Sequence, residues 1–196
     1  MSGTTTSDRR IGDVELPEPG EWTFDPAHTS VTIVARHLMV SKVRGTFRGV
    51  AGTIHVAERP EDSWVEAEID ASSIDTRNPD RDAHMRSPDF LDVERYPTIA
   101  FRSTELVPLE GARFLLRGDL TIRGITRPIE LEATFEGTAT DPWGSRKVAF
   151  SAAGEVERAA FGMTWNAALE TGGVLVGPTF RVEVEVQAVR AERAAA

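Results

Sequence analysis

Polar and apolar residues alternate with a period of two along much of this chain. Between Ser30 and His37, Val31, Ile33 and Ala35 fall on one face, with Thr32 and Arg36 on the other. Ile129, Leu131, Ala133 and Phe135 alternate with Glu130, Glu132, Thr134 and Glu136. Phe180, Val182, Val184, Val186 and Ala188 alternate with Arg181, Glu183, Glu185 and Gln187. Successive side chains of a strand point to opposite faces, so each segment has one dry face and one wet face. That pattern belongs to antiparallel sheet, not to a parallel sheet buried on both sides.

Eight such segments are predicted, near 29–37, 43–57, 63–71, 97–108, 112–123, 125–138, 146–157 and 178–189. Glu110-Gly111, Gly124, Gly137 and Asp141-Pro142-Trp143-Gly144 separate several of them as turns. Long, mostly sequential strands with one dry face can close on themselves, which removes exposed sheet edges. Helical signals are few. Asn78 can cap a helix running to Arg86, with Pro79 at its first position and Asp80 in its first turn. Asp82 and Arg86 then form an i,i+4 pair in the favourable order. Single turns are expected at Leu38–Lys42 and Pro88–Val93, and an irregular stretch from Ala159 to Gly177. The polar, Pro- and Gly-bearing residues 1–20 read as a flexible tail, 21–190 as one barrel domain and 191–196 as a second tail.

An eight-stranded barrel is either filled by its own side chains or just wide enough for one slender ligand. The dry face carries large residues at Phe101, Phe114, Leu116, Leu120, Phe150 and Phe180, and small ones at Ala35, Gly118, Ala152 and Gly154. Small residues leave room or merely fit a taper, so a hollow and a solid core both remain open. A hollow is expected to be lined by Val31, Ile33, Ala35 and Met39, then Phe47 and Phe90, then Phe101, Phe114, Leu116 and Leu120. Phe150 and Ala152, Phe161, Met163 and Trp165 from the irregular stretch, and Phe180 and Val182 complete the expected wall.

Composition removes several functions. The 196 residues carry a net charge of -9, which disfavours nucleic acid and anionic membrane surfaces as partners. The chain contains no Cys, excluding disulfides, thiolate metal sites and Cys nucleophiles. Its four histidines, His28, His37, His55 and His84, form no HxH or HExxH pair, so no metal is expected. No GxSxG elbow, GxGxxG or GxxxxGK[ST] loop occurs, and no catalytic residue is assigned. No apolar run has membrane-span length, so stable membrane insertion is not expected. The first residues lack an export signal's apolar core, which makes the cytoplasm the expected location. His37, Arg81 and His84 are the candidates for contacting a head group at a barrel mouth. Each has a plainer reading: His37 bonding nearby backbone, and the 79–86 helix tied to the rim through Arg81 and His84.

Five segments in order resemble the YceI family of lipocalin-like polyisoprenoid-binding proteins. They are Trp22-Thr-Phe-Asp-Pro-Ala-His28-Thr-Ser, then Arg36-His37 through Phe47, then Thr76 through Tyr96-Pro97, then Gly118-Asp-Leu-Thr-Ile-Arg-Gly124, and finally Arg158 with Phe161-Gly162. The resemblance implies an all-β, extended eight-stranded antiparallel lipocalin-like barrel with short helices between strands. It also implies a long tunnel for an isoprenoid chain, either a polyprenyl phosphate or a quinone tail, and is compatible with homodimers. The expected function is non-catalytic binding, transport or storage of such a lipid, with no cofactor beyond it. The alternatives are a barrel hydrolase or isomerase using His37 or His84 as general base, and a solid-core interaction module.

Overall fold

The computed structural model describes residues 10–11, 14–38, 40–168 and 174–191. Met39 lies outside the described residues. A short ribbon, β1 (Arg10–Ile11) and β2 (Val14–Glu15), precedes β3 (Gly20–Phe24), β4 (Ser30–His37), β5 (Ser41–Phe47) and β6 (Val50–Val56). β7 (Trp64–Asp70) and β8 (Ile74–Asp75) lead into the helix α1 (Pro79–Arg86). Four long strands follow, β9 (Thr98–Pro108), β10 (Arg113–Ile122), β11 (Ile125–Thr140) and β12 (Arg146–Glu157). A 3-10 turn at Arg158–Phe161 then leads towards β13 (Val176–Arg190).

Eight of these strands form a closed ring in the order β12-β11-β10-β9-β7-β6-β3-β13, with β13 pairing back onto β12. Every pairing is antiparallel. On its edge away from β12, β13 serves two partners: Val176–Glu185 runs beside β4, and Ala188–Arg190 beside β3. β4 pairs in turn with β5, and β5 with β8. β3 and β4 are thus two legs of one bent strand, as are β5 and β6.

Two contacts set those bends. Asp25 N–H donates to the Gln187 carbonyl (2.8 Å) and Thr29 Oγ1 to the same oxygen (3.2 Å), holding the first corner against β13. At the second corner Gly49 N–H donates to Ser73 Oγ (3.0 Å), and a Cβ there would lie 2.8 Å from Asp70 Cβ. Only glycine fits such an approach. At the other end of the barrel the β10–β11 hairpin closes through two left-handed residues, Arg123 (φ 53°) and Gly124 (φ 70°), a pair whose twist suits a two-residue hairpin.

The eight predicted strands are all present, with β12 at its predicted bounds. Three expectations change. β3 is a strand beyond the eight predicted ones, and its Trp22 (1% exposed) and Phe24 are core residues. The packed structure starts before it: Leu16 packs on the core, Trp22 Nε1 donates to the Glu18 carbonyl (3.1 Å), and the Glu18 carboxylate receives both Arg146 and Arg190. The turn expected at Leu38–Lys42 is the tip of the β4–β5 hairpin, with Val40 N–H on the His37 carbonyl (3.2 Å) and Ser41 paired opposite His37.

The third concerns α1. Its cap is as predicted, with Asn78 Oδ1 accepting from Arg81 N–H (3.0 Å). The Asp82–Arg86 pair does not form. Asp82 is buried, and its Oδ1 accepts from the Thr76 N–H (2.8 Å) and hydroxyl (2.5 Å). Arg86 donates instead to the Ser72 and Ile74 carbonyls (2.8 and 2.9 Å). Satisfying buried polar groups outweighs an exposed helix pair worth a few tenths of a kcal/mol (about 0.3–0.5).

The in-strand glycines also differ from expectation. A Cβ on Gly118 would meet Phe101 Cζ at 2.4 Å, and one on Gly154 would meet Leu131 Cδ2 at 2.6 Å. These positions do not open the lumen. Neighbouring side chains lie over the bare backbone, so Gly118 and Gly154 are close-approach sites.

Candidate ligand-binding site

The dry faces enclose a cavity of about 390 Å³, within the size range of small-molecule sites. Its wall includes both Val43 and Val56, near opposite ends of the β5–β6 strand. At about 3.3 Å rise per residue that separation is roughly 40 Å of strand path, shortened along the axis by strand tilt. The cavity is therefore long and narrow, and the barrel can hold a hydrophobic ligand.

Alternation explains most of the wall. Val31, Ile33 and Ala35 of β4, Phe47 of β5 and Phe101 of β9 face it, with Phe114, Leu116 and Leu120 of β10. Phe150 and Ala152 of β12 and Phe180 and Val182 of β13 complete the strand contribution, and Phe90, Met163 and Trp165 line it from outside the strands. Phe161 does not. At 1% exposure it belongs to the packed core, because the 3-10 turn carries it away from the lumen that Met163 and Trp165 reach. Among wall residues missing from the expected set, Phe135, Val184 and Val186 were visible in the same alternation. Leu16 and Pro17 were hidden in the supposed tail, alternation places Arg36 on the opposite face, and Arg158 had no local signal.

One end of the cavity is lined by apolar residues from the segment before β3, the β6–β7 connection and the start of β7, namely Leu16, Pro17, Pro60 and Trp64. Trp64 stacks on His55 with ring centroids 5.5 Å apart. At the other end stand His37, Arg81 and His84, all three on the wall. Half-buried His37 ends β4, and among the described residues its ring makes no hydrogen bond. Arg81 directs Nε to the Thr76 hydroxyl (2.9 Å) and Nη2 to the Thr76 carbonyl (2.8 Å). His84 lies 2.9 Å from Asp89 Oδ2 through Nε2, with Phe90 and Trp165 edge-on to its ring at 5.0 and 4.5 Å. Among the described residues neither histidine meets a serine or threonine hydroxyl, and no group of three His, Asp or Glu could hold a metal ion.

Arg158 is the most buried ionisable residue among the described wall residues, 8% exposed. Nε donates to the Gly177 carbonyl (2.9 Å), and Nη1 to the carbonyls of Met163 (2.6 Å) and Trp165 (2.8 Å). It thereby joins the start of β13 to the strap behind the 3-10 turn. Desolvation holds its guanidinium below the usual arginine pKa, though an arginine still carries its proton at neutral pH. Arg123 anchors the same region from outside, donating to the carbonyls of Phe90 (2.9 Å) and Gly162 (3.2 Å).

The sequence profile of the YceI-like domain matches residues 22–188. The protein YceI of Salmonella newport is 37% identical over 138 residues, covering 70% of this chain and 72% of that protein. BcnA of Burkholderia cenocepacia superposes with a TM-score of 0.74 at 19% identity, over 84% of this chain and 99% of BcnA. A polyisoprenoid binding domain from Saccharophagus degradans, implicated in plant cell wall breakdown, superposes with a TM-score of 0.66 at 13% identity, over 89% of this chain and all (100%) of that one. Likeness at these two identities concerns the fold.

Proposed function

The chain belongs to the YceI-like domain family, and from that footing we propose that it is a non-catalytic binding protein for a long-chain isoprenoid lipid, a polyprenyl phosphate or an isoprenoid quinone, which it carries or stores inside the barrel. The observation that carries this reading is the shape of the cavity: one narrow apolar lumen running along the strands from Val43 to Val56. A slender branched hydrocarbon fits that shape better than a compact ligand. The polyisoprenoid binding domain of Saccharophagus degradans, which shares the fold, supports the choice of ligand class.

The energetics favour a long chain. At about 0.8 kcal/mol per buried methylene, each five-carbon unit brings roughly 3–4 kcal/mol of gross transfer energy. Lost translational freedom and chain ordering offset much of this. Affinity then rises with tail length until the lumen is full and levels off, and discrimination along the tail comes from length and shape.

Organic extraction of the purified protein followed by mass spectrometry tests the proposal. The expected result is a co-purifying isoprenoid near one per chain, chemically unchanged after long incubation. Repeated preparations without lipid, together with no uptake of added geranylgeraniol or geranylgeranyl phosphate, overturn it. Conversion of the bound lipid would favour an enzyme instead.

A further inference from the structure

Among the described residues, the charge on the cavity wall has one sign. The chain contains 31 Asp and Glu against 22 Lys and Arg, yet among the described residues no carboxylate lines the cavity. The ionisable residues on it, among those described, are Arg36, Arg81, Arg158, His37 and His84. Contacts tie all five to one end. Val176 pairs with His37, and a Cβ on the adjacent Gly177 would lie 3.3 Å from Arg36 Cβ. The Gly177 carbonyl accepts from Arg158, Arg158 also donates to the Trp165 carbonyl, and the Trp165 ring meets His84. Arg81 stands one turn before His84 on α1.

The three arginines are not equivalent. Arg36 is exposed. Arg81 shares the Thr76 hydroxyl with the buried Asp82 carboxylate, which offsets part of its charge. Arg158 is buried, forms no ion pair among the described residues, and spends Nε and Nη1 on neutral carbonyls. Nη2 makes no hydrogen bond among the described residues. Leaving a buried charge without a counter-charge is costly, and an arriving anion removes that cost through charge-assisted hydrogen bonds.

We propose that this end of the cavity is an anion receptor centred on Arg158 and flanked by Arg81, so that the isoprenoid it takes carries a phosphate head group and not a neutral quinone or alcohol. The inference rests on the isoprenoid reading above and narrows it. The tail supplies burial in the lumen, and the arginines select the head. The acidic exterior disfavours anions elsewhere on the molecule, which confines the attraction to the mouth.

Calorimetric titration of the full chain with geranylgeranyl phosphate and with geranylgeraniol, in the same buffer, tests it. The expected result is about tenfold or more tighter binding of the phosphate. In Arg158→Gln the phosphate-to-alcohol ratio falls towards one. In Arg158→Lys, which keeps the charge but not the fork, part of it remains. If Arg158→Gln fails to fold, the wild-type ratio and the lysine variant decide. Equal wild-type affinities overturn the head-group assignment while leaving the isoprenoid reading standing. Binding of neither ligand overturns both. A full phosphate preference in a folded Arg158→Gln protein overturns the placement at Arg158.

Discussion

The two ends of the barrel are built from different chemistry. At the base, Leu16, Pro17, Pro60 and Trp64 line the lumen with apolar surface, and Glu18 clamps the incoming chain to β12 and β13 through Arg146 and Arg190. At the mouth, the hairpin tip, α1 and the strap after β12 place arginine and histidine on the wall, with Arg81 and Arg158 held by hydrogen bonds to backbone carbonyls and His84 beside the Asp89 carboxylate. At the base the lumen-facing surface is apolar, and the directional contacts, those of Glu18, hold the chain behind it. Under the head-group proposal the mouth admits a ligand and recognises its polar end, and it is assembled from irregular segments whose side chains are fixed one bond at a time. A regular strand end would offer neither the donors nor the freedom to place them.

The comparison breaks most visibly at Trp22, which sits 1% exposed behind the base. Trp22→Ala removes a large core side chain and should cost about 3–5 kcal/mol in chemical denaturation. The second test is at the mouth. Asp82→Ala strips the buried acceptor from the Thr76 N–H and hydroxyl and should cost about 1–3 kcal/mol. Hydrogen exchange should then speed up in 76–86 while the base strands keep their protection. Uniform acceleration throughout would mean that the mouth is not separately held.

Ala152→Phe comes third. Ala152 lines the lumen between the two ends, so a phenyl ring there should weaken geranylgeranyl phosphate binding by at least about tenfold, at an overpacking cost of about 1–3 kcal/mol. Undiminished affinity in a folded variant would place the tail elsewhere. Gly154 is unsuitable for this test, because a Cβ there already meets the Glu130 carbonyl at 2.5 Å.

The smallest effect concerns Asp25, at the bend between β3 and β4. Its hydrogen bond from Lys147 (3.1 Å) holds the carboxyl below the ordinary carboxylate value, against the opposing effect of burial. A depressed folded-state pKa stabilises the protein above the unfolded value, near 3.9, and that stability is lost as pH falls through the folded value. Wild type should therefore exceed Asp25→Asn by less than about 1 kcal/mol at pH 7. The gap should shrink as the solution is taken from about pH 5 to below the ordinary carboxylate value. A gap independent of pH would contradict the assignment.

Alternation made β11 and β13 legible residue by residue, and the Asn78-Pro79-Asp80 signal located α1. Those features are local: a dry face and a helix cap depend on neighbours a few residues away. The bends were not legible, since Asp25 and Gly49 turn on contacts with Gln187 and Ser73, far along the chain. The tail boundary failed for the same reason: nothing around Glu18 announces Arg146 and Arg190. Gly118 and Gly154 suggested room, but the residues lying over them come from other strands. Much of the apolar wall could thus be read from pattern. Arg158 appeared only within a segment of family resemblance, because three carbonyls brought together by folding define its environment.

The account rests on the lumen being hollow and occupied by one slender lipid. The most direct measurement is electron density inside the barrel of a crystal grown from protein purified without added lipid. The account predicts one continuous, elongated feature running from beside Arg158 towards Trp64. A lumen closed by its own side chains from end to end would contradict it.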